Sequence, residues 1–163
     1  MKAVVNATPL IALALTGHLE LLQHLFSAVY VPQSVYDEVV TRGGDRPGST
    51  LVKNVPWLTL QTPAQTSPIP VALMGLDLGE QDVILLGQDL NADWLIIDER
   101  LGRRIAQAMN FRVKGTLGIF LVAYQLGLLS KLEAEQALLH LGQSTIRLSP
   151  RLVAWFQAQL TND

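Results

Sequence analysis

Three carboxylates and one carboxamide of this chain stand where a fold could aim them at a common target. Asn6 directly follows the apolar run Ala3–Val5, and Asp98 directly follows Trp94–Ile97. Glu38 lies on the helical segment after the second β-rich run, and Glu80, with Asp82, opens the helix that precedes Asp98. In an open α/β sheet, ligands bind outside the carboxyl ends of the strands. Neighbouring positions for the first and fourth strands would bring these groups to one pocket. Clustered carboxylates repel one another and call for a counter-charge. A hard divalent cation, Mg²⁺ or Mn²⁺, supplies it, because such ions take oxygen ligands and keep several waters. An ion held there lowers the pKa of a bound water and clamps phosphate oxygens, the chemistry of phosphodiester hydrolysis. Arg100, Arg103 and Arg104 follow Asp98 at once. Their forked donors suit flanking phosphates. An acidic pocket with a basic rim is the pattern a metal-dependent nuclease needs.

Each of these residues also has a plainer role open to it. Glu80 and Asp82 complement the positive end of a helix dipole. Glu38, beside Asp37, fits a solvated helix face. Asp98 fits a helix N-cap, Asn6 a cap or turn closure, and Thr8 an N-cap. Arg103 and Arg104 fit a solvated surface. Other chemistry is thin. His18, His24 and His140 show no HxH or HExxH spacing, no serine lies in a GxSxG elbow, and no GxGxxG follows a strand. The chain has no cysteine, which excludes disulfides, thiolate nucleophiles and cysteine-ligated zinc or iron–sulfur sites.

The elements that must position these residues follow from pattern. Short strands are expected at Ala3–Val5, Ala28–Val31, Trp57–Gln61, Trp94–Ile97 and Phe111–Lys114, with Trp94–Ile97 a continuous apolar run. Helices alternate with them. Thr8-Pro9 reads as the start of the first, and Leu19–Phe26 as a second. Pro32 and Ser34 open one to about Val40, and Gly79-Glu80 one to about Leu90. Arg100–Met109 and Leu117–Leu126 follow. Ser130-x-x-Glu133 is a capping box for another. Ser149-Pro150 starts the last, with Leu152, Trp155, Phe156 and Leu160 as its apolar face. Arg42–Ser49 reads as a loop, either a plain surface turn or a flap over substrate, and Thr62–Pro70 as a proline-rich linker. Strands alternating with helices imply βαβ units and a mainly parallel sheet under helical layers.

At 163 residues and 17.9 kDa, with 49% apolar and 16% charged residues, the chain suits one folded domain and not a disordered one. The net charge of −2 is unevenly spread. Residues 1–99 carry four Lys/Arg against eleven Asp/Glu, and residues 100–163 carry eight against three. An acidic site beside a basic patch is one source of such asymmetry, and chance sorting of helix faces is another. No apolar run reaches the ~20 residues of a membrane span, and the start lacks the basic region and cleavage site of a signal peptide, so a cytoplasmic protein is expected.

These residues resemble the PIN-domain superfamily, and within it a branch of bacterial and archaeal PIN-like proteins described as nucleic-acid-binding. The likeness is carried by Val4-Val5-Asn6-Ala7-Thr8-Pro9-Leu10-Ile11, by Val31-Pro32 with Val35-Tyr36-Asp37-Glu38-Val39, and by Leu76-Asp77-Leu78-Gly79-Glu80. It continues through Leu95-Ile96-Ile97-Asp98-Glu99-Arg100 with Arg103-Arg104 and ends on Gly115-Thr116-Leu117-Gly118. It spans about residues 3–130 in the family's order, leaving 131–163 as a helical C-terminal extension of a single 1–163 domain. The resemblance implies a three-layer α/β/α fold with a mainly parallel sheet. It implies a Mg²⁺- or Mn²⁺-dependent ribonuclease pocket, with the family's acids falling at Asn6, Glu38, Glu80 and Asp98, and Asp82 and Glu99 in reserve. Thr8 matches the hydroxyl that accompanies the first acid, and with Arg100, Arg103 and Arg104 it would face RNA. Many relatives are toxins neutralised by a small antitoxin protein, and many form homodimers. The departure is Asn6, where the family usually has Asp: the carboxamide keeps one metal-ligating oxygen and loses the charge. A PIN-like module that binds nucleic acid or a protein without catalysis is the alternative. A response-regulator-type domain would need an acidic pair and a downstream Lys around Asp98, which has no such clear companions.

Overall fold

The computed structural model describes residues 1–64 and 68–160, so residues 65–67 of the Thr62–Pro70 linker lie outside the described residues. Five strands form one parallel sheet: β1 Lys2–Val5, β2 Ala28–Pro32, β3 Leu58–Gln61, β4 Trp94–Ile96 and β5 Val113–Lys114, in the order β3-β2-β1-β4-β5. The expected pairing of the first and fourth strands is present, with Ala3, Val4 and Val5 in register with Trp94, Leu95 and Ile96. On its other edge β1 pairs with β2, placing Ala3 opposite Val29. Ala3, Val4 and Val5 are fully buried. A strand covered on both faces needs such an unbroken apolar run.

Nine α-helices are described: α1 Ala7–Leu15, α2 Leu21–Leu25, α3 Gln33–Tyr36, α4 Pro47–Lys53, α5 Leu78–Leu90, α6 Arg100–Ala108, α7 Thr116–Gln125, α8 Lys131–Gly142 and α9 Pro150–Leu160. They complete a three-layer α/β/α arrangement, with α5 packed on β1, β2 and β4, and α7 packed among α1, α2, α8 and α9. The core joins sheet and helices through Leu10, Leu13, Ile84, Leu95 and Phe120, all fully buried. The Ser130 capping box forms as expected. The Ser130 Oγ accepts from the Glu133 N–H at 3.1 Å, and the Glu133 carboxylate accepts from the Ser130 N–H at 2.7 Å. Among the described residues, no helix is long and apolar enough to cross a membrane.

Three expectations need correction. Arg42–Ser49 is not all loop: Pro47 starts α4, and Gly48 and Ser49 are buried, with the Ser49 hydroxyl donating to the Val39 carbonyl at 2.5 Å. Pro at the first helical position suits its missing N–H. Thr8 does not cap α1; Asn6 occupies the N-cap position, and Pro9 falls where an N–H has no helical partner anyway. The apolar face of α9 divides. Phe156 and Leu160 are buried, whereas Leu152 is 39% and Trp155 42% exposed.

Candidate functional site

The strand order reverses between β1 and β4, so the carboxyl ends of these two strands border the crevice where open α/β sheets take their ligands. Asn6 leaves β1 there, its N–H donating to the Ile96 carbonyl of β4 at 3.0 Å. It is 5% exposed and its side chain makes no capping bond to α1. Thr8, two residues on, donates its hydroxyl to the Glu99 carboxylate at 3.0 Å, which ties α1 to the segment after β4.

Glu38 rides on a π-turn, Asp37–Thr41, in which the helix begun by α3 widens. Such turns re-aim side chains and recur at functional sites. Its carboxylate reaches the start of α5, where a Cβ added at Gly79 would lie 3.4 Å from Oε2. Burial, then Asp77 and Glu99, hold Glu38 above the usual carboxylate range, with Arg42 opposing.

Glu80 is 7% exposed and is the second half of a capping box. The Asp77 Oδ1 accepts from the Glu80 N–H at 2.8 Å, and the Glu80 Oε2 accepts from the Asp77 N–H at 3.2 Å. The other oxygen faces α6, 2.8 Å from where a Cβ at Gly102 would sit. Burial first, then Asp77, Glu99 and Glu38, push its pKa up, against the Asp77 N–H bond that lowers it. Glu38, Asp77, Glu80 and Glu99 thus form one acidic rim. Asp77 was missed as a rim member, although the Asp77-x-x-Glu80 spacing is itself a capping-box signature. Asp82 belongs elsewhere, accepting from the Ser34 hydroxyl at 2.6 Å.

Asp98 is differently placed. Its Oδ1 accepts from the Thr116 N–H at 2.7 Å and its Oδ2 from the Thr116 hydroxyl at 2.6 Å, so it satisfies the start of α7 and not of α6. Burial raises its pKa, and the Thr116 bonds and Arg103 oppose the rise. Of the three arginines, Arg103 borders Asp98. A Cβ added at Gly115 would lie 2.6 Å from the Asp98 Oδ1 and 2.9 Å from the Arg103 Nη1, and that guanidinium donates to the Ile97 carbonyl at 3.0 Å. Arg100 and Arg104 are exposed on α6.

The rim offers hard, anionic oxygens whose mutual repulsion a divalent cation would relieve, so the donor chemistry fits Mg²⁺ or Mn²⁺. Among the described residues, no group of three or more acidic or imidazole side chains is already gathered to hold one ion. No curated protein matches the chain. A comparison with protein families matches residues 2–162 to a PIN domain, α8 and α9 included. On a parallel sheet with its order reversal at β1 and β4, and over nearly the whole length, the chain belongs to the PIN-domain family.

Proposed function

We propose that this PIN module, one domain over residues 1–163, is a cytoplasmic ribonuclease assisted by Mg²⁺ or Mn²⁺. The observation that carries the reading is the acidic rim at the start of α5, where Glu38 reaches Gly79 beside Glu80 and where burial, then Asp77 and Glu99, raise the pKa of both. Glu38, Glu80 and the Asn6 carbonyl oxygen would hold the ion, with Asp98 and Glu99 beside them. When bound, the ion supplies an activated water and a clamp for phosphate oxygens. The chain's own residues do the rest. Glu38 and Glu80 keep negative charge at the crevice. The Thr116 bonds fix Asp98, and the Thr8 hydroxyl orients Glu99. Arg103, flanked by Arg100 and Arg104, offers donors to phosphates on either side of the scissile bond. By family likeness the protein would act as a toxin, held by a small antitoxin protein and working as a homodimer; sedimentation alone and with its co-expressed partner tests both.

A second reading, a PIN module that binds RNA or protein without cleaving, is favoured by Asn6 and by the commitment of both Asp98 oxygens to Thr116. Cleavage of single-stranded and structured RNAs in Mn²⁺, with calorimetric titration of the metal, separates the two. The variants are Asn6→Asp, Glu38→Gln and Glu80→Gln, the last preserving the capping box. In the nuclease reading, Asn6→Asp tightens metal binding and raises cleavage, because an anionic oxygen attracts a hard dication better than an amide carbonyl. Either Gln variant lowers both. No cleavage by wild type or Asn6→Asp on any of these RNAs establishes the non-catalytic module.

A further inference from the structure

Alongside Asp98, a cleft of about 380 Å³ opens between β5, the start of α7 and α9, lined by Asp98, Arg103, Lys114, Gly118, Leu152 and Trp155 among others. Its volume falls within the ~300–1,000 Å³ of ordinary ligand sites. Its charge is one-sided. Arg103 and Lys114 face a single carboxylate, Asp98, whose oxygens already accept from Thr116. Arg112 adds to the field: its guanidinium lies 4.6 Å and the Lys114 ammonium 4.3 Å from the centre of the Trp94 ring. Burial first, then Arg112 and Arg103, depress the Lys114 pKa, while Asp93, 3.8 Å from the Arg112 guanidinium, offsets part of that residue's charge. The opposite wall is apolar. Leu152 and Trp155 stand on α9, which Phe156 and Leu160 anchor in the core, so the half-exposed indole is displayed on a fixed helix.

We propose that this cleft seats one nucleotide of a single-stranded RNA segment next to the acidic rim, with its phosphate toward Arg103 and Lys114 and its base against the Trp155 indole. Cationic side chains tracking a backbone and an aromatic face taking the base are the two components of sequence-tolerant single-strand binding. Asp98 joins the two sites, because it lines the cleft while the next residue, Glu99, belongs to the acidic rim. A strand crossing this wall would have neighbouring nucleotides in both. The inference rests on RNA being the ligand of the module and is independent of cleavage.

The test is the anisotropy of a labelled short oligouridylate in EDTA at low salt, with wild type, Trp155→Ala, Trp155→Phe and Lys114→Ala, each first shown by thermal melting to be folded. Trp155→Ala should weaken binding about tenfold, the scale of one lost base stack. Trp155→Phe should recover most of it. Lys114→Ala should weaken binding and flatten its salt dependence. An oligomer with abasic sugars should bind wild type and Trp155→Ala alike. Equal oligouridylate affinity for wild type and Trp155→Ala overturns the proposal and leaves the RNA-directed reading standing. Equal affinity accompanied by loss of a concentration-dependent dimer overturns it by assigning the indole to contact between copies. No binding by wild type overturns both. Trp155-dependent binding without cleavage sustains the proposal and removes only the nuclease reading.

Discussion

Two regions at the same end of one sheet use the same kind of group in opposite ways. On the β2 side, burial and the neighbouring Asp77 and Glu99 raise the proton affinity of Glu38 and Glu80, and Arg42 is the cation that opposes this at Glu38. On the β5 side, Asp98 has its oxygens filled by Thr116 and Arg103 alongside. A carboxylate whose lone pairs are spent on backbone and hydroxyl donors stabilises the fold. One left among other carboxylates costs stability, and the fold retains it for another use.

Removing each acid measures that contrast most directly. Asp98→Ala strands the buried Thr116 donors and should cost about 3 kcal/mol in a urea titration, at ~1–3 kcal/mol per buried unpaired group. Glu80→Gln keeps the capping box and sheds a repelled charge, so its urea midpoint should stay near wild type. Equal losses in the two variants would erase the distinction between the regions.

Two glycines probe the same contrast at smaller scale. At Gly115 a Cβ would collide with Asp98 at 2.6 Å and Arg103 at 2.9 Å, both held by hydrogen bonds, so Gly115→Ala should destabilise by about 2 kcal/mol. At Gly102 the nearest atom is the free oxygen of Glu80, at 2.8 Å, which can swing aside. Ala also gains about 1 kcal/mol of helix propensity there, so Gly102→Ala should be near neutral in stability. It should nevertheless weaken Mn²⁺ binding by displacing Glu80. A stability loss at Gly102 matching that at Gly115 would mean that Glu80 is as firmly held as Asp98.

The smallest effect is in the pH dependence of Glu38. Its folded pKa stands above the ordinary 4.5. Its proton therefore favours the folded state fully below that value, and the favour is lost as pH rises through the folded value. Glu38→Gln should match wild type in melting temperature at pH 4 and exceed it by about 1 °C at pH 7, a modest gain because the side chain is solvent-screened. A lower melting temperature for the variant at pH 7 would show instead that the Glu38 carboxylate stabilises the fold.

Much of this was legible in the residues. Apolar runs located β1, β2 and β4, and the polar residue after the first and fourth strands marked the crevice that their pairing forms. What escaped had physical reasons. Gly43, Gly44, Pro47 and Gly48 mask α4, which is held by packing and by the Ser49–Val39 bond more than by propensity. Asp98 looked like a cap for the helix that follows it; its real partner, Thr116, is 18 residues away, and no local spacing encodes that. The exposure of Trp155 was hidden because its helical spacing to Leu152 and Phe156 is that of a core face, and only tertiary packing separates them.

The position of β1 in the sheet has a consequence for how the protein is made. Its β2 edge is satisfied early, but its other edge waits for β4, and Lys2 is tied to Asp93 across 91 positions. Chains generally fold from the N-terminus during synthesis, while pairings this distant must await the closing segment. Asp98 is secured only when Thr116 and α7 have followed. Ribosome-bound chains ending before Trp94 should therefore be cut readily by protease, and chains extending past Gln125 should resist. A PIN module assembled in this order gains a fixed Asp98 only after the start of α7 has been made.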